Sequence, residues 1–189
     1  MWRSLAGKLL VASPILDDPN FANSVVLVCT HDRDGAFGLV LNRPLQAQVT
    51  EYLPSWSGPL AAPGVIFSGG PVDVTSAFGL ARGVVAEASW LSPPLGAAGE
   101  VQTGMIDLDA IDALVATGID AVRVYSGYAG WVGGQIESEL LTDSWFVVDA
   151  LPGDPFTTTP EMLWRAVLQR QSRGDLAMYG YYPADPRVN

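Results

Sequence analysis

Positively charged residues are scarce in this chain of 189 residues: 10 lysines and arginines stand against 20 aspartates and glutamates, a formal net charge of −10. Lysine occurs once, at Lys8. Cationic side chains supply most of the non-specific affinity of proteins for phosphate backbones and anionic membranes. We therefore expect no direct nucleic-acid partner and no membrane partner.

Cysteine and histidine also occur only once each, as Cys29 and His31. A single cysteine excludes an internal disulfide bond. Cys29 follows the apolar run Val25–Val28, which predicts a buried thiol in a strand. The two side chains would share a strand face only if the strand continued, and we expect His31 in the turn that follows. We predict no cofactor and no metal site.

A long uninterrupted apolar segment is missing as well. The apolar stretch that begins at Leu9 meets Pro14 and then Asp17 and Asp18, a pattern that argues against a signal peptide. The uncharged segment 52–72 contains 4 prolines, which break a membrane-spanning helix. The sequence therefore predicts a cytoplasmic protein.

Apolar residues, by contrast, make up 49% of the chain, which is enough for a sizeable core. The 20 glycines and 14 prolines are scattered, which predicts many short elements joined by tight turns. Strand-like runs outnumber helical ones, and several follow one another directly. We predict an α+β fold, a single compact domain over residues 1–189 with a mixed, largely antiparallel, barrel-like sheet and packed helices.

Apolar runs bounded by turn residues give the predicted strands. The clearest feature is a hairpin that joins strand 24–30 to strand 36–42 through the polar turn 31–35. Further strands are predicted over 9–12, 65–67, 77–81, 101–105, 122–125 and 145–148. Helices are predicted over 49–56 with Thr50 as cap, from Asp109 to Gly118, over 135–141, and from Pro160 with Thr159 as N-cap.

The glycine-rich segment Gly127–Gly133 is typical of a turn between a strand and a helix. Such a turn can direct backbone N–H groups at an anion, although it lacks the pattern of a P-loop or a dinucleotide fingerprint. Tight packing under Tyr128 and Trp131 is the alternative explanation. Glu137, in the first turn of the next helix, complements the helix dipole.

Polar residues in two turns suggest a different chemistry. Asp17, Asp18, His31 and Asp32 would form an acid–base or metal cluster if the two turns met in space, which favours a hydrolase. Carboxylates that cap their own turns are the alternative interpretation.

Two further segments contain candidate binding residues. Arg43, between Asn42 and Pro44 at the end of a predicted strand, suits a carboxylate or a phosphate, although an internal ion pair is the expected use in so acidic a chain. Gly69 and Gly70 form a turn that lets two backbones approach closely.

Many of these segments together resemble one family. They are Leu10–Pro14, Asp18–Pro19 with Phe21, His31–Asp32, Gly38–Pro44, Gly69–Pro71, Gly127–Trp131 and Gly134–Glu137. Over nearly its whole length the chain resembles the AlgH/YqgE family, bacterial proteins described as uncharacterised or as transcriptional regulators. The resemblance implies a compact α+β domain with a barrel-like mixed sheet, and it brings no catalytic residues.

We predict from this a non-catalytic cytoplasmic binding or regulatory protein that acts through a small ligand or a protein partner. The candidate binding residues lie on or beside glycine-rich loops; they are Asn42, Arg43, Gly69, Gly70, Tyr128, Gly130, Trp131 and Glu137. Two alternatives stay open: a hydrolase built on the Asp/His turns, and a direct transcriptional regulator. The second is disfavoured by the net charge and by the lack of a helix-turn-helix signal.

Overall fold

The computed structural model describes residues 3–86, 89–110, 115, 118–172 and 174–181. Within them the strands are β1 (Lys8–Ala12), β2 (Val25–His31), β3 (Gly35–Val40), β4 (Pro44–Gln48), β5 (Val65–Ser68), β6 (Val72–Gly83), β7 (Gln102–Ile106), β8 (Ile119–Val132) and β9 (Trp145–Asp149). The α-helices are α1 (Val49–Tyr52), α2 (Gln135–Leu141), α3 (Leu163–Gln169) and α4 (Gly174–Tyr179). Short 3₁₀ turns cover Leu108–Ala110, Asp154–Phe156 and Pro160–Met162.

The strands form one mixed sheet whose main path is β4-β5-β8-β3-β2-β1-β9, with β6 paired to β8 and β7 paired to β6. Strand β5 runs parallel to β8, and the other pairings are antiparallel. The predicted α+β class with a mixed, largely antiparallel sheet is confirmed. Across the described residues the sheet is open, with β4 and β9 at the ends of its main path.

The predicted hairpin is confirmed as β2 and β3. The Asp32 carboxylate accepts the backbone N–H groups of Asp34 at 2.8 Å and Gly35 at 3.2 Å, which fixes the turn between the strands. His31, however, belongs to β2, so its predicted place in the turn was wrong. The strand continues because His31 still pairs with Ala36 across the hairpin.

The predicted turn at Gly127–Gly133 was also wrong, because β8 runs without interruption to Val132. The chain turns only at Gly133 and Gly134. A Cβ atom on Gly127 would lie 2.6 Å from the carbonyl oxygen of Gly70. Glycine is required there because two backbone segments pass against each other, and no reversal of the chain is involved.

Strands β1 and β2 are buried on both faces, as their continuous apolar runs predict. One face packs against α3, whose Trp164 indole N–H donates to the Ala12 carbonyl at 2.8 Å. The other face packs against Trp131, Trp145 and Ile136, so α2 and α3 lie on opposite sides of the sheet. This two-sided core holds the central strands in a fixed position.

Several smaller predictions need correction. Strand β6 begins at Val72, five residues before the predicted start, and α1 follows Gln48 without a side-chain cap from Thr50. Thr159 precedes a 3₁₀ turn and makes no capping bond. Most of the predicted helix from Asp109 to Gly118 lies outside the described residues. Among the helices that are described, none has the length and hydrophobicity needed to cross a lipid bilayer.

Candidate functional site

The predicted site residues lie in several regions. Asn42, Arg43 and Gly70 line one cleft of about 450 Å³, here called the Arg43 cleft, together with Asn20, Leu45, Ser68 and Val74. The other five lie elsewhere: Tyr128, Gly130 and Trp131 are on β8, with Tyr128 and Trp131 on opposite faces, Glu137 is on α2, and Gly69 follows β5. The eight residues therefore do not form one site.

The side chains of Asn42 and Arg43, which follow β3, hold the loop that precedes β2 beside the Arg43 cleft. The buried Asn42 accepts the N–H of Val25 and donates to the carbonyl of Asn23, both at 2.9 Å. Arg43 is half-buried and donates through Nη2 to the carbonyl of Ala22 at 2.6 Å. These bonds fix the loop and place the guanidinium at the wall of the cleft.

The expected internal ion pair of Arg43 is not present among the described residues. The ion pairs there join Lys8 to Asp149, Arg82 to Asp120 and Arg170 to Asp154. Within the same residues, Nε and Nη1 of Arg43 have no hydrogen-bond partner. Since a guanidinium offers five N–H donors, most of its hydrogen-bonding capacity remains available to a ligand.

Gly69 and Gly70 bring the cleft against β8. A Cβ atom on Gly69 would lie 2.2 Å from the Gly127 carbonyl oxygen, and one on Gly70 would lie 2.2 Å from the carbonyl carbon of Tyr128. Gly69 also joins β3 to β8, since its carbonyl accepts the N–H of Val40 and its N–H donates to Ser126. Their role is close backbone approach, as the sequence suggested.

Trp131 belongs to a group of three aromatic and two polar side chains, here called the Trp131 cluster. Its members are Phe21, Trp131, Gln135, Glu139 and Trp145. One oxygen of Glu139 accepts both indole N–H groups, at 3.0 Å from Trp131 and 2.7 Å from Trp145. The other accepts Gln135 Nε2 at 2.8 Å, and Phe21 packs on both indoles. The cluster is internally satisfied, so it is a packing unit.

Glu139 is a central residue that sequence reasoning missed. Its spacing of four from Gln135 on a helix is the one local signal for that pair. Its contacts with the two indoles depend on how α2 packs on β8 and β9.

Tyr128 faces the other side of β8 from Trp131. Its ring stacks on Phe37, with centroids 4.7 Å apart, and meets Phe78 edge-on at 5.7 Å. A Cβ atom on Gly130 would lie 3.0 Å from the Tyr128 ring. Both residues therefore serve packing against the core on the α3 side of the sheet, which supports the packing alternative for the glycine-rich segment.

The Cys29–His31 pair is excluded by a bulge in β2 between Val28 and Thr30. Cys29 packs into the core on the α3 side, and burial raises the pKa of its thiol to about 12. The His31 side chain points to the opposite side, where Nδ1 accepts the N–H of Leu5 at 3.0 Å and Nε2 lies 3.4 Å from a Glu137 oxygen. The bulge reverses the alternation that would place both on one face.

The four residues of the hydrolase alternative are not brought together. Asp18 caps its own turn by accepting the N–H of Asn20 at 2.7 Å, as Asp32 does in the hairpin. Asp17 and Asp18 precede β2, whereas His31 and Asp32 end it, and a strand of this length spans roughly 20 Å. Among the described residues, no group of three or more His, Cys, Asp or Glu side chains is placed to hold a metal ion.

Arg123 is a second arginine that the sequence analysis did not identify. Its side chain is 1% exposed, donates to the carbonyls of Thr157 and Ala62, and lies 4.3 Å over the ring of Phe67. Burial lowers the pKa of its guanidinium. Its carbonyl partners tie two loops to the sheet, so its role is structural.

Comparison with known proteins adds the family. A family model described as AlgH-like matches residues 9–175. The chain belongs to the AlgH-like family. A UPF0301 protein from Streptomyces coelicolor is 48% identical over 189 residues, covering 98% of this chain and 96% of the relative. A UPF0301 protein from Thermobifida fusca is 41% identical over 196 residues, with the same coverage of 98% and 96%.

Solved structures of AlgH-like proteins share the fold. A crystal structure of a protein from Corynebacterium diphtheriae matches with a TM-score of 0.77 at 28% identity, covering 96% of this chain and 94% of that one. The solution structure of the AlgH protein from Pseudomonas aeruginosa matches with a TM-score of 0.67 at 29% identity, covering 97% and 98%. The predicted family is thereby confirmed, and the function is argued from the site.

Proposed function

We propose that this AlgH-like protein is a non-catalytic cytoplasmic binding protein that holds an anionic group of a small ligand or of a protein partner in the Arg43 cleft. The observation that carries this proposal is the half-buried guanidinium of Arg43, which has no carboxylate partner among the described residues. A half-buried cation interacts with an anion more strongly than a cation in open water does. Carboxylates and phosphates match the planar donor set of arginine.

Two acidic residues that neighbour cleft residues in the sequence are engaged in local hydrogen bonds. Asp18 accepts the N–H of Asn20, and Asp73 accepts the hydroxyl groups of Thr75 and Ser76. Neither forms an ion pair with Arg43 in the described part of the chain. The guanidinium thus keeps its positive charge at the cleft, although the net charge of −10 opposes anions at long range.

The separation of the Asp/His turns by β2 supports the choice of binding over hydrolysis. General acid–base catalysis requires the acid and the base to lie within hydrogen-bond reach of one reacting group. Asp18 and Asp32 instead cap turns at opposite ends of the strand.

Heteronuclear NMR titration of the protein with phenyl phosphate and with benzoate tests this function, with phenol as the neutral reference. We expect at least one anion to shift the amide signals of Asn20, Ser68 and Gly70, because these residues line the cleft. In Arg43→Gln the apparent affinity should fall at least about tenfold, the size expected for a lost charge-assisted bond.

Arg33→Gln is the matched control. It removes the same charge from an exposed turn at the opposite end of β3 and should leave the titration unchanged. The proposal would be contradicted if Arg43→Gln and the parent protein gave the same apparent dissociation constant. It would also be contradicted if neither anion shifted the amide signals of the cleft residues.

A further inference from the structure

A second groove of about 450 Å³, here called the Tyr52 groove, adjoins the Arg43 cleft. Its floor includes Ile66 and Val124, and Tyr52 and Leu53 form one wall. Leu45 and Val74 line both cavities, so they mark the junction between them.

The floors of the two cavities belong to the same face of the sheet. Ile66 in the groove and Ser68 in the cleft are two residues apart on β5, which runs parallel to β8. Side chains two residues apart on a strand point the same way and lie about 7 Å from each other. The two cavities therefore form one trough that leads from Arg43 toward Tyr52.

A bulge in β6 forms the opposite wall of this trough. Strand β6 pairs with β8 at Val72 and Tyr128 and again at Ala77 and Ser126, so the intervening residues of β6 project from the ladder. Asp73, with φ of 45°, begins this bulge. Val74 on the bulge is 59% exposed, which places an apolar side chain at the rim.

Three hydroxyl groups along the trough are engaged in hydrogen bonds within the protein. Ser126 donates to the carbonyl of Val74, and Thr75 and Ser76 donate to the carboxylate of Asp73. The floor residues Ile66 and Val124 belong to a small apolar core with Val49. The groove thus presents hydrocarbon to an occupant, whereas the cleft presents a cation.

We propose that the trough binds an amphiphilic carboxylate, with its head group on Arg43 and a hydrocarbon chain along the exposed apolar side chains of Leu45, Val74 and Tyr52. This inference rests on the anion-binding function proposed for the Arg43 cleft. The side chains that the groove exposes, those of Leu45, Tyr52 and Val74, are mainly apolar and match a hydrocarbon chain. A hydrocarbon chain gains free energy from burial against them.

Isothermal titration calorimetry with octanoate, butyrate and octan-1-ol tests this ligand class. Each buried methylene strengthens binding roughly fourfold. We therefore expect octanoate to bind at least about tenfold more tightly than butyrate, even with partial burial. Octan-1-ol should bind at least about tenfold more weakly than octanoate, because it lacks the charge that Arg43 recognises.

Val74→Glu provides the test at the shared wall, since it places a carboxylate beside the chain. Octanoate affinity should fall at least about tenfold in this variant. Val132→Glu, at a 72% exposed position near the end of β8, adds the same charge elsewhere and should leave octanoate binding unchanged.

The outcomes separate the two proposals. If benzoate or phenyl phosphate binds in the cleft but octanoate binds no more tightly than butyrate, the amphiphile proposal is wrong. The anion-binding proposal is then unaffected. Equal affinities for octanoate and octan-1-ol, unchanged in Arg43→Gln, would overturn both. Displacement of octanoate from the trough by a short acidic peptide of higher affinity would identify a protein segment as the better occupant and contradict this inference.

Discussion

Around Trp131, two indole N–H groups meet one carboxylate, and an aromatic ring covers the pair. Around Arg43, a guanidinium bonds to one backbone carbonyl and lines a cleft. Both regions carry the residue types that suggest a binding site, namely glycines beside aromatic or cationic side chains. They differ in whether the polar groups already have partners.

That difference separates packing from binding. The buried polar groups of the Trp131 cluster satisfy one another, as buried groups in folded proteins generally do. Nε and Nη1 of Arg43 have no hydrogen-bond partner among the described residues, and Leu45, Tyr52 and Val74 expose apolar surface in the adjoining groove. Removing the shared carboxylate of the Trp131 cluster should therefore change stability, whereas removing the guanidinium of Arg43 should change binding.

The largest expected effect on stability comes from Gly70→Ala. The new Cβ atom would lie 2.2 Å from the Tyr128 carbonyl carbon, and the backbone has a φ of 151°. We expect the free energy of unfolding to fall by about 2–4 kcal/mol in urea denaturation, since overpacking and backbone strain combine. Gly153→Ala is the control, because nothing lies within 4 Å of a Cβ there. Equal stability of both variants would show that the backbone near Gly70 and Tyr128 shifts to accommodate the Cβ atom at little cost.

Glu139→Leu should have the next largest effect. It removes the acceptor of the Trp131 and Trp145 indoles, and each buried donor left without a partner costs about 1–3 kcal/mol. We expect a total loss near 2–3 kcal/mol in the same urea assay. Glu139→Gln keeps an acceptor oxygen and should lose clearly less. Equal losses in the two variants would mean that the carboxylate contributes through packing alone.

Arg43→Gln should have the smallest effect on stability, about 1 kcal/mol or less, because Arg43 makes one hydrogen bond and is only half-buried. Urea denaturation beside Arg33→Gln gives the comparison. A loss as large as that of Glu139→Leu would make Arg43 a structural residue of the kind found in the Trp131 cluster.

Much of the fold could be predicted from local pattern. Apolar runs located most strands, and the polar turn ending in Gly35 located the hairpin between β2 and β3. The segment Gly127–Gly133 misled the prediction because glycines there serve an approach between β8 and the chain near Gly70. Such an approach involves residues that are distant in the sequence, so it cannot be predicted from a local pattern.

The candidate site could be predicted only in part. Asn42, Arg43 and Gly70 do line a common cleft, while Trp131 was attributed to binding although it is buried in packing. The Tyr52 groove was not predicted, because it depends on the parallel pairing of β5 with β8 and on the bulge in β6. The contact of Glu139 with two indoles depends in the same way on tertiary packing.

Recognition of an anion by Arg43 is tested most directly by an NMR titration of octanoate into the parent protein, Arg43→Gln and Arg33→Gln under one set of conditions. We expect saturable shifts at Ile66, Ser68 and Gly70, a dissociation constant at least about tenfold higher in Arg43→Gln, and no change in Arg33→Gln. Indistinguishable dissociation constants in all three proteins would contradict the claim that Arg43 recognises an anion in this cleft.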